Sequence, residues 1–302
     1  MRVFVTGASG FIGTAVTREL VAAGHHVLGL ARSDAAAALV AQAGGEAVRG
    51  DLGDAGGLAA IARTADGVAH LGFIHDFSRF EENILTDRAV VEAITAALEG
   101  SGKPFVLTSG SALAESEGRA ARETDEPGGF HVGRASRGAT ELVVRAASAR
   151  GVRGSVIRLP QVHGPSEIGF RAGFITYLID IARQKGFAAW LDDGAEHRWP
   201  SAHRLDVARL YRLALEKAEP GAVFHAVAEE GVPMRLIAET IGEKLGIPVR
   251  GITPEESGDY FGWLAMFAAM DNPTSSAITR ATLGWQPTGI GLIEDMRAND
   301  LG

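Results

Sequence analysis

MRVFVTGASGFIGTAVTREL, residues 1–20, is the stretch whose reading decides the fold. Val3, Phe4 and Val5 predict a buried strand over 2–6, because β-branched and aromatic side chains suit a pleated, enclosed surface. Gly7, Gly10 and Gly13 then fall three apart, and residues 14–23 have the composition of a helix. A strand that runs through a glycine turn into a helix is a phosphate-binding device. Gly7 permits the tight turn, Gly10 lets the backbone approach a pyrophosphate, and Gly13 lets helix and strand pack closely. The helix start offers free N–H groups and a partial positive charge to the anion. Thr6, Ser9, Phe11 and Ile12 share this loop and join the expected cofactor-binding set. The G-x-x-G-x-x-G spacing is one residue longer than the commonest dinucleotide fingerprint, so its position directly after a strand carries most of the weight.

Composition limits what such a loop can serve. The chain has 302 residues, 46% hydrophobic and 22% charged, which fits a soluble globular protein with a substantial core. A net charge of −8 without a basic cluster argues against a nucleic-acid partner. Cysteine is absent, which excludes disulfides, thiol catalysis and thiolate metal sites. The longest apolar run, FGWLAMFAAM at 261–270, is about half of what a membrane span needs. Gly7 interrupts the first apolar residues too early for a signal-peptide core. A cytoplasmic location without a membrane partner is therefore expected.

Outward from the glycine loop, a second strand is predicted over 26–31, HVLGLA. A dinucleotide fold that takes NAD places Asp or Glu at its end to hold the ribose 2′-hydroxyl. Here the place holds Ala31, followed by Arg32 and Ser33. A guanidinium and a hydroxyl suit a 2′-phosphate, so NADP(H) is expected in preference to NAD(H). The alternative is that Arg32 is a solvated loop residue and Ser33 merely caps the next helix. Helix is predicted over 34–43 and strand over 47–49, leading to Gly50-Asp51-Leu52. Asp51 either accepts from an adenine amino group, with Leu52 near the ring, or simply starts a turn. A helix over 58–64 and a strand over 67–71 follow. Leu71 and Gly72 then begin a loop that carries His75 and Asp76 between aromatics and borders the cofactor. That pair serves either catalysis or the surface. After a helix over 84–98, the strand over 103–108 delivers Ser109-Gly110-Ser111 to the same sheet edge. A helix over 138–149 and a strand over 154–159 lead into Pro160-Gln161-Val162-His163-Gly164-Pro165. Six alternations of strand and helix are the signature of a parallel sheet covered on both faces.

Together these residues resemble the extended short-chain dehydrogenase/reductase superfamily, in its epimerase/dehydratase-like branch. The resemblance is carried by TGASGFIG at 6–13, GDL at 50–52, HLG at 70–72, Asn83 with Glu92-Ala93, and RLPQVHGP at 158–165. HRLDVARLYRLALE at 203–216 and LGWQP at 283–287 extend it through nearly the whole chain. It implies an α/β fold: a Rossmann-type doubly wound parallel sheet with a smaller, discontinuous C-terminal substrate lobe. The nucleotide domain is expected over 1–165 plus 206–227, and the lobe over 166–205 plus 228–302. Gly7, Gly10, Gly13, Arg32, Asp51 and Leu52 are implied to line the dinucleotide site, with Pro160 at the exit of the sixth strand. The departure lies at GRASRGATE, 133–141. The family's catalytic pair is Tyr and Lys four apart, with Ser next to the Lys and often Glu four beyond it. Ser136 and Glu141 set the register, so Gly133 takes the tyrosine's place and Arg137 the lysine's. Arg137 keeps a positive charge for nicotinamide-ribose hydroxyls, whereas Gly133 can do no proton chemistry. The chain thus resembles atypical members.

Several residues are candidates for the missing proton donor. His163 lies where relatives carry Tyr in a Val-Tyr-Gly-Pro run; it either exchanges a proton near pH 7 or hydrogen-bonds a loop. Tyr177 and Tyr260 either visit the pocket or fill the core, and Tyr211 is expected on the packed face of the returning helix. Ser109 and Ser111 are placed to polarise a carbonyl. His131 and Arg134 flank Gly133 and are expected to orient an anionic substrate, as is Arg198 in GAEHRWP. The histidine pairs 70/75 and 197/203 lack the carboxylate spacing of a zinc site, so no metal is expected. The aromatic stretch 262–270 caps the substrate pocket, buries a homodimer contact or forms the lobe's core. The leading reading is an NADP(H)-dependent oxidoreductase for a small organic substrate. The alternatives are a catalytically inactive NADP(H)-sensing protein and an epimerase or dehydratase with a retained cofactor.

Overall fold

The computed structural model describes residues 1–114, 116, 118–128, 136–167 and 169–301. From the start of the chain, strands and helices alternate: β1 (Arg2–Thr6), α1 (Phe11–Ala22), β2 (His26–Ala31), α2 (Asp34–Gln42), β3 (Glu46–Arg49), α3 (Ala55–Thr64), β4 (Gly67–His70), α4 (Phe80–Ala97), β5 (Pro104–Gly110), α5 (Arg137–Ala147) and β6 (Arg153–Leu159). The chain then leaves through β7 (Gln161–Ser166), β8 (Gly169–Ala172), α6 (Phe174–Lys185), β9 (Ala188–Leu191) and β10 (Arg198–His203). It returns through α7 (Arg204–Lys217) and β11 (Val223–His225). The remainder comprises β12 (Glu229–Pro233), α8 (Met234–Leu245), β13 (Val249–Ile252), α9 (Pro254–Phe261), α10 (Ala265–Ala268), α11 (Ala277–Leu283) and α12 (Leu292–Ala298).

Seven strands form one sheet in the order β3-β2-β1-β4-β5-β6-β11, with every pairing parallel. Val3 and Val5 point to one face, packing with Val16 and Leu20 of α1 and Leu210 of α7. Phe4 points to the other, among Leu58, Ile94, Phe105 and Val144. Burial on both faces is why the strands read as continuous apolar runs rather than alternating ones. This is the doubly wound Rossmann sheet expected from the sequence. Its order reverses between β1 and β4, which opens a crevice at the carboxyl ends of the strands.

Pro160 separates β6 from β7. It has no N–H to donate to a ladder, and across it the chain changes sheets. β7 pairs parallel with β10 and antiparallel with β8, while β10 pairs antiparallel with β12. β9 and β13 form a separate parallel pair. Ile175, Ile179, Trp199, Ile237, Ile241, Phe261 and Leu264 make the core of this second region. Leu283 and Trp285 pack back into the core of the large sheet, and the Trp285 indole N–H donates to the Asp206 carbonyl at 2.9 Å. Between β6 and α5 lies a wholly enclosed ion pair, Arg158 with Glu141.

Candidate active site

A cavity of about 1290 Å³ runs along the carboxyl ends of the central strands and continues under the second region. Single small-molecule pockets are typically about 300–1,000 Å³, so this one has room for a large ligand and a smaller one. Its first limb is the glycine turn. Gly7 sits at φ +67°, and a Cβ there would lie 2.8 Å from the Gly72 nitrogen. Gly10 precedes α1 without a side-chain cap, so the N–H groups of the first turn remain for an anion. Gly7, Ser9, Gly10, Phe11, Ile12 and Gly13 all line the cavity.

Thr6 lies beneath the turn instead of in the cavity wall. Its hydroxyl accepts the Gly72 N–H at 2.9 Å and contacts His70 Nδ1 at 2.8 Å. The Asp87 carboxylate only accepts, so Nε2–H of His70 donates to Asp87 Oδ1 at 3.1 Å and the Thr6 hydroxyl donates to Nδ1. Thr6 is therefore buried behind the cradle, supports it and does not line the cavity. Asp87 Oδ2 is buried with no partner among the described residues, and Asp87 lines the cavity.

At the end of β2, Arg32 is exposed on the cavity wall and forms no hydrogen bond or ion pair among the described residues. Ser33 takes the alternative role, its Oγ accepting the Ala36 N–H at 3.2 Å to cap α2, and it does not line the cavity. Asp51 closes the turn of one of its two readings and also faces the cavity. Oδ1 accepts the Gly53 N–H at 2.8 Å to close a turn, while the side chain lines the cavity with Leu52, Leu71 and Gly72.

The far limb begins at β5. Ser109 lines the cavity, and its buried Oγ has no partner among the described residues. Ser111 Oγ accepts from Asn272 Nδ2 at 3.3 Å. Arg137 donates from Nη2 to the Thr108 carbonyl at 2.7 Å, with its guanidinium 4.3 Å from the centre of the Phe73 ring. The Thr108 hydroxyl contacts the His70 carbonyl at 2.7 Å and the Tyr211 hydroxyl at 2.6 Å. Burial raises the Tyr211 pKa, which keeps this phenol protonated as a structural donor. Pro160 and Tyr177 also line the cavity.

His75 is exposed on the cavity wall, its ring edge-on to Phe73 at 5.3 Å. Desolvation and, next, the positive charge of Arg137 hold its pKa below the ordinary histidine value. The imidazole is thus neutral at pH 7 and able to accept a proton. Arg137→Gln removes the nearby charge, so the His75 pKa is expected to rise; an NMR titration of the ring protons reads the shift. A fall or no change would remove Arg137 as a cause. Asp76 instead accepts from Ser78 N–H at 3.0 Å, and bonds from Ser78 lower its pKa.

Three sequence candidates lie elsewhere. His163 is 1% exposed and outside the cavity, with Nδ1 2.6 Å from Asp295 Oδ2 and its ring edge-on to His203 at 5.6 Å. Pairing of β7 with β10 carries it beneath α12, where Asp295 takes it up as a buried polar pair. Tyr260 donates its hydroxyl to the Phe187 carbonyl at 2.7 Å inside the second core, where burial pushes its pKa up to about 12. Arg198 forms a two-pronged ion pair with Asp271, at 2.9 and 2.7 Å, and does not reach the cavity. His131, Gly133 and Arg134 lie outside the described residues. Sequence reasoning missed Asp87, Gln161, Arg171 and Asn272 as wall residues; Asn272 meets Ser111 across 161 positions, a contact without local signature. No cluster of three or more His, Cys, Asp or Glu is placed for a metal among the described residues, and no described helix is long and apolar enough to cross a membrane.

A glycine cradle below a crevice at the strand ends, continued by a second pocket, is the arrangement of a Rossmann-type dinucleotide-binding fold. The chain belongs to the NAD dependent epimerase/dehydratase family, whose model matches residues 3–228. An uncharacterized protein of Saccharomyces cerevisiae is 44% identical over 302 residues, covering 99% of both chains. A dTDP-6-deoxy-L-talose 4-dehydrogenase (NAD(P)(+)) of Kitasatospora kifunensis is 27% identical over 95% of this chain and 91% of its own. The structure of Thermus thermophilus UDP-glucose 4-epimerase in complex with NAD superposes with a TM-score of 0.74 at 23% identity, covering 98% of this chain and 97% of that one. At that identity the likeness is one of fold.

Proposed function

We propose that the protein is an NADP(H)-dependent oxidoreductase that interconverts a small organic carbonyl compound and its alcohol. The observation that carries this reading is Ser109: a buried, unpartnered hydroxyl in the same cavity as the glycine cradle. The dehydrogenase named among the relatives agrees with it.

When bound, the nucleotide supplies or accepts the hydride. The first-turn N–H groups of α1 bind the pyrophosphate, Asp51 and Leu52 meet the adenine, and Arg32 meets a 2′-phosphate. Arg137, braced by the Thr108 carbonyl and Phe73, keeps further N–H groups for ribose hydroxyls. Ser109 donates a hydrogen bond to the substrate oxygen. His75, held neutral, takes the proton of an alcohol and returns it in the opposite direction.

Arg32→Asp tests the nucleotide preference. Charge-assisted hydrogen bonds are worth about 1.5–3 kcal/mol, so NADPH affinity is expected to fall roughly tenfold to a hundredfold while NADH affinity holds or improves. Parallel fluorescence titrations with the two nucleotides read the result, and equal losses for both would sink the preference. A nucleotide-binding protein without turnover is the second reading, favoured by Gly133 at the tyrosine's place. It predicts NADPH binding but no oxidation or reduction with any carbonyl or alcohol.

A further inference from the structure

The far half of the cavity has a chemistry distinct from the nucleotide half. Phe174 and Tyr177 stand one turn apart on α6, and Trp263, Met266 and Phe267 follow α9; all five line this half. Trp263 meets Tyr177 edge-on at 5.3 Å and Phe174 at 5.7 Å, while Phe174 and Phe267 lie 4.7 Å apart. The wall is fixed from behind. Gln161 Oε1 accepts the Phe174 N–H at 2.8 Å, setting the start of α6, and the Trp199 indole donates to the Phe267 carbonyl at 3.1 Å.

Tyr177, Trp263 and Met266 remain 39%, 44% and 51% exposed, so large apolar surfaces collect at the cavity and not in the core. Clustered exposure of this kind marks a place that an apolar ligand covers. Charge points the same way. Among the described lining residues from 161 onward, Arg171 is the single guanidinium, and the carboxylate of Asp180 lines the same side. Arg198, one of the basic residues expected here, is committed to Asp271, while His131 and Arg134 lie outside the described residues. A nucleotide-linked sugar would bring a second diphosphate and need several cations or N–H donors to replace its water.

We infer that this half of the site receives a flat, apolar carbonyl compound, an aryl ketone or aryl aldehyde, and not a nucleotide-linked sugar. The inference rests on the oxidoreductase reading of the same cavity and names its substrate class. The aryl ring stacks within the Phe174–Tyr177–Trp263 wall, and the carbonyl oxygen turns toward Ser109 and Ser111. Edge-to-face and offset contacts suit such a ring, whereas a hydroxyl-rich pyranose would leave its polar groups unpaired against these faces.

Calorimetry on the full chain tests this, with naphthyl methyl ketone and UDP-glucose as probes and NADP+ affinity measured first and separately. The ketone is expected to bind, and UDP-glucose to give no heat on the NADP+-saturated protein. Trp263→Ala and Tyr177→Ala should each weaken the ketone about tenfold, with NADP+ affinity unchanged and Trp263→Phe recovering most of the loss. Tighter binding of UDP-glucose, no binding of the ketone, or unchanged ketone affinity in both alanine variants would overturn the inference. Failure of NADP+ to bind would instead sink the oxidoreductase reading. The ketone titration, repeated on nucleotide-free protein, decides the substrate class in either case.

Discussion

Gly13→Ala is expected to abolish dinucleotide binding. A Cβ on Gly13 would lie 1.9 Å from the Gly7 carbonyl oxygen, 2.8 Å from its carbon and 2.9 Å from Ala8 Cα. All three are backbone atoms of the turn, so no rotamer change relieves the clash. Either α1 moves away from β1 or the turn opens, and both displace the N–H groups that face the anion. Overpacking of this kind costs about 3 kcal/mol or more, and a lost pyrophosphate cradle lowers affinity by roughly a hundredfold or more. Gly10→Ala makes the contrast, because its Cβ would meet one atom, the Gly7 oxygen, at 3.2 Å. It is expected to weaken the nucleotide while leaving the melting temperature nearly unchanged. NADPH titrations and thermal melts of both variants distinguish the two effects. Near-normal affinity in Gly13→Ala would mean that the turn is not the binding element.

Glu141→Gln is the second large effect, on stability. Arg158 and Glu141 are both 0% exposed; Nε donates to Oε1 and Oε2 at 3.2 and 3.1 Å, and Nη2 to Oε2 at 2.8 Å. A further nitrogen of Arg158 donates to the Asp125 carbonyl at 2.9 Å. Glutamine keeps the volume but withdraws the charge, stranding a buried guanidinium. Removing one partner of such a pair costs about 3–5 kcal/mol, because the other cannot regain water. Chemical denaturation of Glu141→Gln should show that loss. The double variant Glu141→Leu with Arg158→Met should recover much of it, since apolar replacement of both partners is often neutral. A double variant as unstable as the single one would place the stability in Arg158's bond to Asp125 instead.

What the sequence disclosed was local. The glycine turn, the missing acid after β2 and the alternation that builds the parallel sheet each lie within a few residues, where backbone geometry ties residue type to conformation. Errors of extent have local causes as well. Helix α3 starts at Ala55 and not 58, because Asp54 caps it by accepting the Gly57 N–H at 2.9 Å. β5 runs to Gly110, which places Ser109 within the sheet opposite Arg158. The site's far limb was less legible because distant partners decide it. His163 was a reasonable proton donor until α12 brought Asp295 to it from 132 positions away. Tyr260 and Arg198 were likewise claimed by Phe187 and Asp271, 73 positions from each. Nothing short-range records such competition for a side chain's hydrogen bonds.

Leu283 and Trp285 belong to the same enclosed core as Val3, Val5, Val16 and Leu20 beside the glycine turn. During synthesis they leave the ribosome more than 260 residues after that turn. β11 reaches its place beside β6 after an excursion through the second sheet. Contacts so distant along the chain make loop closure costly and slow the search for the native state. The core of the large sheet is therefore complete only once Trp285 has joined it. The stability of the large sheet is thus tied to the carboxyl-terminal segment, through the Trp285 bond to Asp206 as well as its packing.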